Sequence, residues 1–282
     1  MLLIVSIILL SILALLPDAD VDHDAGYTAS ELSIRETVDG SVISTSHVNP
    51  DGVITNAIDM GYATVCRMQD DDDRVVEERY LDANGYPVAR YENFHGLSYE
   101  YDETSTVIAY LDVEGNPIIR SDGYSTIVRT QVDGRAYDDF FYDLNGQQVQ
   151  CSGGYYGLRR GYNAEGQDIS LAFLDKDGHA VCTSSGYAIM TYQRDMNGTV
   201  VGKQYFDTDG NPVRSSLGKY GEFYQRNEQG YTGQITYLDA DGNPAPTNAG
   251  YTILKCTYHR DGTADTLSLI HISEPTRLQL IS

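Results

Sequence analysis

Tyr205-Phe-Asp-Thr-Asp-Gly-Asn-Pro-Val213 and Tyr237-Leu-Asp-Ala-Asp-Gly-Asn-Pro-Ala245 are two copies of one phrase. Earlier copies run Tyr80 to Val88, Tyr110 to Ile118, Phe141 to Val149 and Phe173 to Val181, at successive spacings of 30, 31, 32, 32 and 32 residues. His47 to Thr55 is a weaker copy around Asp51-Gly52. Self-similarity at a fixed period of this length marks a repeat architecture, in which each unit gains stability by stacking on its neighbours.

A second marker recurs between the phrases as Gly61-Tyr62, Gly123-Tyr124, Gly154-Tyr155, Gly186-Tyr187 and Gly250-Tyr251, and Gly26-Tyr27 reads as its first copy. In four later units the marker glycine follows the phrase glycine by eight residues, with Gly218 the one not followed by tyrosine. Within one unit, Gly186 to Asp195 reads as a strand, Met196-Asn197-Gly198 as a turn and Thr199 to Asp207 as a second strand. Thr208-Asp209-Gly210 reads as a second turn. Asn-Gly and Asp-Gly supply the positive φ that tight turns need. Ala188, Met190 and Tyr192 alternate with Ile189, Thr191 and Gln193, a period of two. The expected fold is therefore all-β: an extended tandem array of antiparallel β-hairpin repeats, about 32 residues each, over residues 26–266. Flat, curved and superhelical arrays stay open.

Composition agrees. The 282 residues include 23 Tyr, 27 Gly, 6 Phe and no Trp, which suits short half-buried strands joined by many turns. The formal charge of −22 repels phosphate backbones and anionic headgroups, which argues against nucleic-acid partners and against a membrane contact outside the N-terminal segment. It also discourages edge-to-edge association of a repetitive sheet.

Two terminal segments read differently. Leu2 to Leu16 is apolar apart from Ser6 and Ser11 and stops at Pro17, so residues 1–17 are expected to be a signal peptide or a hydrophobic anchor helix. Asp18, Asp20, Asp22 and Asp24 follow, with no basic cluster, so the repeats are expected to be extracytoplasmic, secreted or membrane-anchored. Met1 is either a true start or an internal methionine of a longer membrane protein. Leu267 to Arg277 (Leu-Ser-Leu-Ile-His-Ile-Ser-Glu-Pro-Thr-Arg) resembles a translated transposase-type sequencing adapter, so residues 267–282 are expected not to be native.

The phrases at Tyr205 and Tyr237 resemble the tyrosine-aspartate repeats of bacterial RHS-type surface proteins, whose strands build β-rich shells. They are also similar to the aromatic hairpin repeats of choline- and glucan-binding wall proteins, although without Trp the choline cage of that family is absent. The resemblance implies a bacterial, surface-exposed repeat.

No enzyme motif was found. Asp207-Thr-Asp-Gly and Asp239-Ala-Asp-Gly evoke calcium loops, but glycine stands fourth rather than sixth and no terminal Glu follows. Carboxylates that recur with every turn read as turn chemistry. Cys66, Cys151, Cys182 and Cys256 show no metal spacing, and Cys151 and Cys182 are offset so as to face opposite ways. His23, His47, His95, His179 and His259 are scattered. No cofactor is implied. Tyr80, Tyr110, Tyr205 and Tyr237 are the candidate ligand-binding residues, able to stack on sugar rings, with cross-strand packing the competing role. The expected function is a noncatalytic extracytoplasmic repeat region that binds a cell-surface polysaccharide or another surface protein, or acts as an adhesive spacer. The alternatives are the extracellular tail of a truncated membrane enzyme or transporter, and a fragment of an RHS-type toxin delivery shell.

Overall fold

The structure is a computed structural model, described here for residues 26–90 and 93–271. The apolar segment 1–17 and most of the adapter-like tail lie outside the described residues. Among the described residues no helix is long and apolar enough to cross a membrane.

The chain folds as eight consecutive hairpins. They are β1 (Ser33–Asp39) with β2 (Val42–Val48), β3 (Thr64–Gln69) with β4 (Val75–Leu81), and β5 (Gly96–Tyr101) with β6 (Ser105–Leu111). Next come β7 (Thr126–Val132) with β8 (Arg135–Tyr142), β9 (Gly157–Tyr162) with β10 (Asp168–Leu174), and β11 (Ile189–Arg194) with β12 (Val200–Phe206). The last are β13 (Gly221–Arg226) with β14 (Thr232–Leu238), and β15 (Ile253–Tyr258) with β16 (Ala264–Ile270). All sixteen strands belong to one antiparallel sheet in sequence order, with β1 and β16 as its two edges.

The β11–β12 unit turns three times in the same way, where the sequence suggested two, whereas the β1–β2 and β7–β8 hairpins close with tighter two-residue loops. Asp195, Asp207 and Ser215 each donate a backbone N–H to the carbonyl four residues on, and accept one from the glycine three residues on. Those glycines, Gly198, Gly210 and Gly218, hold φ of 79°, 82° and 84°, a region costly for any residue with a Cβ. Asn197 and Asp209 are not among the positive-φ residues, so at those turns glycine alone takes the left-handed conformation, whereas Asp133 and Gly134 share it at 52° and 73° in the β7–β8 turn. The marker glycine thus closes a turn of its own. In the third unit, where no Gly-Tyr was found, Asn93 takes φ 63° and Phe94 follows it.

Strands begin three residues after the marker, as from Gly61 to Thr64 or Gly186 to Ile189. Gly26-Tyr27 breaks this rule. A 3-10 turn, Ala29–Glu31, intervenes, β1 starts at Ser33, and Tyr27 makes a parallel bridge with Ala57. It is not the register-setting marker of the first unit. At the other end, Leu267 to Ile270 of the adapter-like segment pair with β15, with Leu269 opposite Leu254.

Side chains alternate across the sheet. One face carries the ring of each phrase and the tyrosine of each marker, and the segments joining the units fold over it. Ile118, Val149, Val181 and Val213 from those segments pack on the buried rings. Neighbouring joining segments are also bonded to one another: Ser184 N–H donates to the Gly153 carbonyl, Ser216 to Ser185 and Asn248 to Leu217, at 3.1, 2.8 and 2.9 Å. Units are therefore joined on two levels.

The array is neither flat nor gently curved. Arg260 Nη2, in the turn between β15 and β16, lies 2.7 and 2.5 Å from the two carboxylate oxygens of Glu31, just before β1. Fourteen inter-strand steps of about 4.8 Å would hold these sites roughly 67 Å apart in a flat sheet. The strip must coil until its ends meet. Glu31 sits on the rim where units are joined, because Ser33 lies opposite Val48 at the end of β2, whereas Arg260 sits on the opposite, hairpin-turn rim. The strip thus advances by about one strand length per turn, as a superhelix does.

Candidate functional site

The four tyrosines singled out from sequence lie in one column of rings. Contacts run without a break from His47 through Tyr62, Tyr80, Phe94, Tyr110, Tyr124, Phe141, Tyr155, Phe173 and Tyr187 to Tyr205, with centroids 4.3 to 6.2 Å apart. Tyr237 continues it on Tyr251 at 5.5 Å. Edge-to-face and offset pairs at these distances are the favoured aromatic geometries. Tyr205 and Tyr237 are each 1% exposed and Tyr110 9%, while Tyr80 is half-buried. Tyr110, Tyr205 and Tyr237, so enclosed, offer no face to a sugar, whereas Tyr80 keeps part of its surface open. Arginines add to the column early on: Arg90 lies over Tyr62 and Tyr80, and Arg120 over Tyr110 and Tyr124. Burial raises the Tyr110 and Tyr205 hydroxyl pKa well above the ordinary value, so both stay protonated.

Beside the rings runs a row the sequence reading missed. Two residues before each phrase ring, Ile108, Leu171 and Ile235 point inward in alternate units. The units between them place Glu78, Asp139 and Lys203 there. Glu78 accepts from Arg67 Nε at 2.7 Å and from the Tyr80 hydroxyl at 3.1 Å. Asp139, 2% exposed, accepts from Arg129 at 2.8 and 2.9 Å and from Arg160 Nη2 at 2.8 Å. Burial alone would raise the Asp139 carboxyl, but the two guanidinium groups hold it below the usual carboxylate range.

The third cluster is the densest. Lys203 Nζ stands 3.2 Å from Glu222 Oε2, the Tyr224 hydroxyl donates to that oxygen at 2.6 Å, and Lys219 Nζ donates to Oε1. Lys203, Glu222 and Lys219 are all buried. Lys219 occupies the marker position held by tyrosine in neighbouring units, with its ammonium 4.8 Å from the Tyr237 ring centroid and 6.0 Å from that of Tyr205. A cation replaces a ring in the column and is attracted to both flanking faces. Burial works against the Glu222 carboxylate, yet Lys203 and Lys219 hold its pKa at about 2. Burial pushes the Lys203 ammonium down, opposed by Glu222. Aligning the units on their rings would have exposed this cluster, since Glu222 corresponds to Val65, Leu97, Ile127, Leu158, Met190 and Leu254.

The phrase aspartates are occupied by the backbone. Asp207 Oδ1 accepts from the Asp209 and Asn211 N–H groups at 2.9 and 2.8 Å, and Asp239 repeats the pattern. The Asn211 bond, then the others, holds the Asp207 carboxyl below its ordinary pKa. Four cysteines are free thiols, with Cys151 buried and Cys182 exposed, as their offset implied.

The other face of the sheet carries shallow grooves. One of about 410 Å³ is bordered by Val107, Pro117, Val128, Tyr142 and Leu144. Another of about 340 Å³ is bordered by Gln193, Gln204, Phe223, Leu238 and Pro244. Val128 and Phe223 hold equivalent strand positions, as do Tyr142 and Leu238, so the same groove recurs along the array.

No protein-family model matches the chain, and no curated protein matches it. Among solved structures, TcdB2-TccC3 without its hypervariable C-terminal region aligns at 10% identity over 83% of this chain and 16% of that one, with a TM-score of 0.19. TcdB2-TccC3 itself aligns at 11% identity over 85% and 18%, with a TM-score of 0.18. A mutant of the GH43 protein BlXynB from Bacillus licheniformis aligns at 11% identity over 88% and 60%, with a TM-score of 0.14. The chain spans less than a fifth of the length of the first two. TM-scores this low leave the overall folds unmatched.

Proposed function

We propose that this chain is a noncatalytic, extracytoplasmic repeat region whose coiled β-strip serves as a structural wall or spacer. The contact between Glu31 and Arg260 carries this reading, because it brings the joining rim at one end of the array onto the hairpin-turn rim at the other. A strip that returns to its own rim can enclose space or build height by adding turns, and the shell fragment expected from the repeat resemblance would have this form. The ring column supports it further, running unbroken from His47 to Tyr205 and giving the first six units the same interface. The apolar segment before the acidic repeats supports an extracytoplasmic placement. The phrase carboxylates support a noncatalytic role, since their oxygens are engaged by turn amides. Electron microscopy of the purified chain tests the reading. Closed, single-turn coils are expected, and straight rods about 70 Å long would contradict it.

A second reading has its own observation. Two grooves on the exposed face, at the fourth and seventh hairpins, occupy equivalent positions, which suits repeated contact with an extended envelope polysaccharide. Substituting Phe223 and Tyr142 by alanine is expected to abolish retention on purified wall polymer if this reading holds. Unchanged retention, or none in the parent chain, removes it.

A further inference from the structure

We propose that the array is built as two blocks, β1–β12 and β13–β16, with Lys203, Lys219 and Glu222 forming the joint at which the coil opens. Three independent features meet there. The first is the pairing between units. Hairpin strands are held by long ladders, as in the six paired positions of β11 with β12, but β12 meets β13 at only three: Gly202 with Phe223, Lys203 with Glu222, and Gln204 with Gly221. Such short ladders recur at most unit boundaries, so the packed core must supply most of the cohesion between units.

The second feature is that this core is interrupted at the same boundary. Buried apolar side chains form one cluster from Ile108 to Tyr205 and a separate one containing Tyr224, Ile235, Tyr237, Tyr251, Leu254 and Cys256, which meets the first block only through the partly buried Val200 of β12. The ring column breaks there too, with Lys219 standing where Tyr187 stands one unit earlier.

The third feature is the chemistry of the replacement. The preceding unit fills the three equivalent positions with Leu171, Tyr187 and Met190, all buried. The fold therefore accepts an apolar set at these sites. A buried ion cluster returns less net cohesion than apolar packing of similar volume, because desolvation offsets much of the attraction. Gly202 adds to the weakness by leaving no side chain opposite Phe223.

The consequence is directional. The β13–β16 block carries Arg260, so parting β12 from β13 also frees that block to leave Glu31 and uncoil the strip. Neighbouring boundaries, with unbroken ring contacts, stay closed.

Hydrogen exchange of the full chain in increasing urea, read by mass spectrometry, tests this. Amides of β13–β15 are expected to exchange as one unit, with protection on the order of tenfold or more below that of β9–β12 and a step between β12 and β13. The triple variant Lys203→Leu, Lys219→Tyr, Glu222→Met is expected to erase the step. If that variant does not fold, Lys219→Tyr alone restores the ring and should reduce the step. A smooth gradient of protection from the chain end in the parent protein would overturn the proposal. So would a step that persists unchanged in the folded variant.

Discussion

Glu31 and Arg260 are 229 residues apart in sequence and 2.5 Å apart in the fold. Neither is buried, so solvent screens their ion pair and it adds little to stability. The pair reports the coil rather than causing it. The cause is the accumulated twist of sixteen strands, which at about −20° per step approaches a full turn, combined with one-sided packing of rings and joining segments. Arg260→Glu is accordingly expected to leave the urea midpoint nearly unchanged while loosening the ends, seen as a rise in radius of gyration by small-angle scattering.

Glu222→Gln removes the carboxylate that two buried ammonium groups share. Leaving them uncompensated is expected to cost about 3–5 kcal/mol, measured as a lower urea midpoint. An effect under about 1 kcal/mol would mean that the cluster is solvated in solution.

The same carboxylate sets an acid response. Its pKa is held at about 2 in the fold against an ordinary 4.5. Because the folded value is the lower one, its contribution is present above about pH 4.5 and is lost as pH falls towards 2. Up to about 3 kcal/mol is at stake in that window. Urea midpoints at pH 5 and pH 3 should therefore differ more in the parent protein than in Glu222→Gln. Equal differences would count against it.

Tyr205→Ala, at the fully buried end ring of the unbroken column, is expected to cost about 3–5 kcal/mol. Tyr86→Ala, in the same phrase type but 69% exposed, should stay within about 0.5 kcal/mol. Comparable losses at both sites would contradict the assignment of the phrase rings to packing.

Asp207→Ala leaves two turn N–H groups without their acceptor and is expected to lower the melting temperature. Asp207→Asn should be close to neutral, because Asn49 already performs this task, accepting from the N–H groups of Asp51 and Val53. Thermal melts of the two variants check the contrast.

The hairpins were legible because Asp-x-x-Gly phrases and alternating side chains are local signals. The turn at Asp195 and the strands at Ile189 and Val200 follow from residues within five positions of each. The weak copy at His47 folds like the others for the same reason, with the Thr55 N–H on the His47 carbonyl as Val88 is on Tyr80. The coil was not legible, since it arises from small rotations summed over many strands, which no single residue encodes. The ionic row fell between these cases. Glu78, Asp139 and Lys203 are visible in the sequence, but they stand out only when units are superposed on their rings and the inward positions compared. The four tyrosines show the opposite limit: their spacing marked them as equivalent, yet spacing cannot separate an exposed platform from a buried column.

A distance between the two ends tests the central claim most directly. Spin labels placed on noncanonical residues at Ser30 and Asp261 flank the ion pair without removing it. Pulsed electron resonance on the full chain is expected to return a narrow distribution centred near 20 Å, allowing for label arms. A distribution centred near 60–70 Å, the span of an uncoiled strip of about 4.8 Å per strand, would contradict the coiled architecture and the function proposed from it.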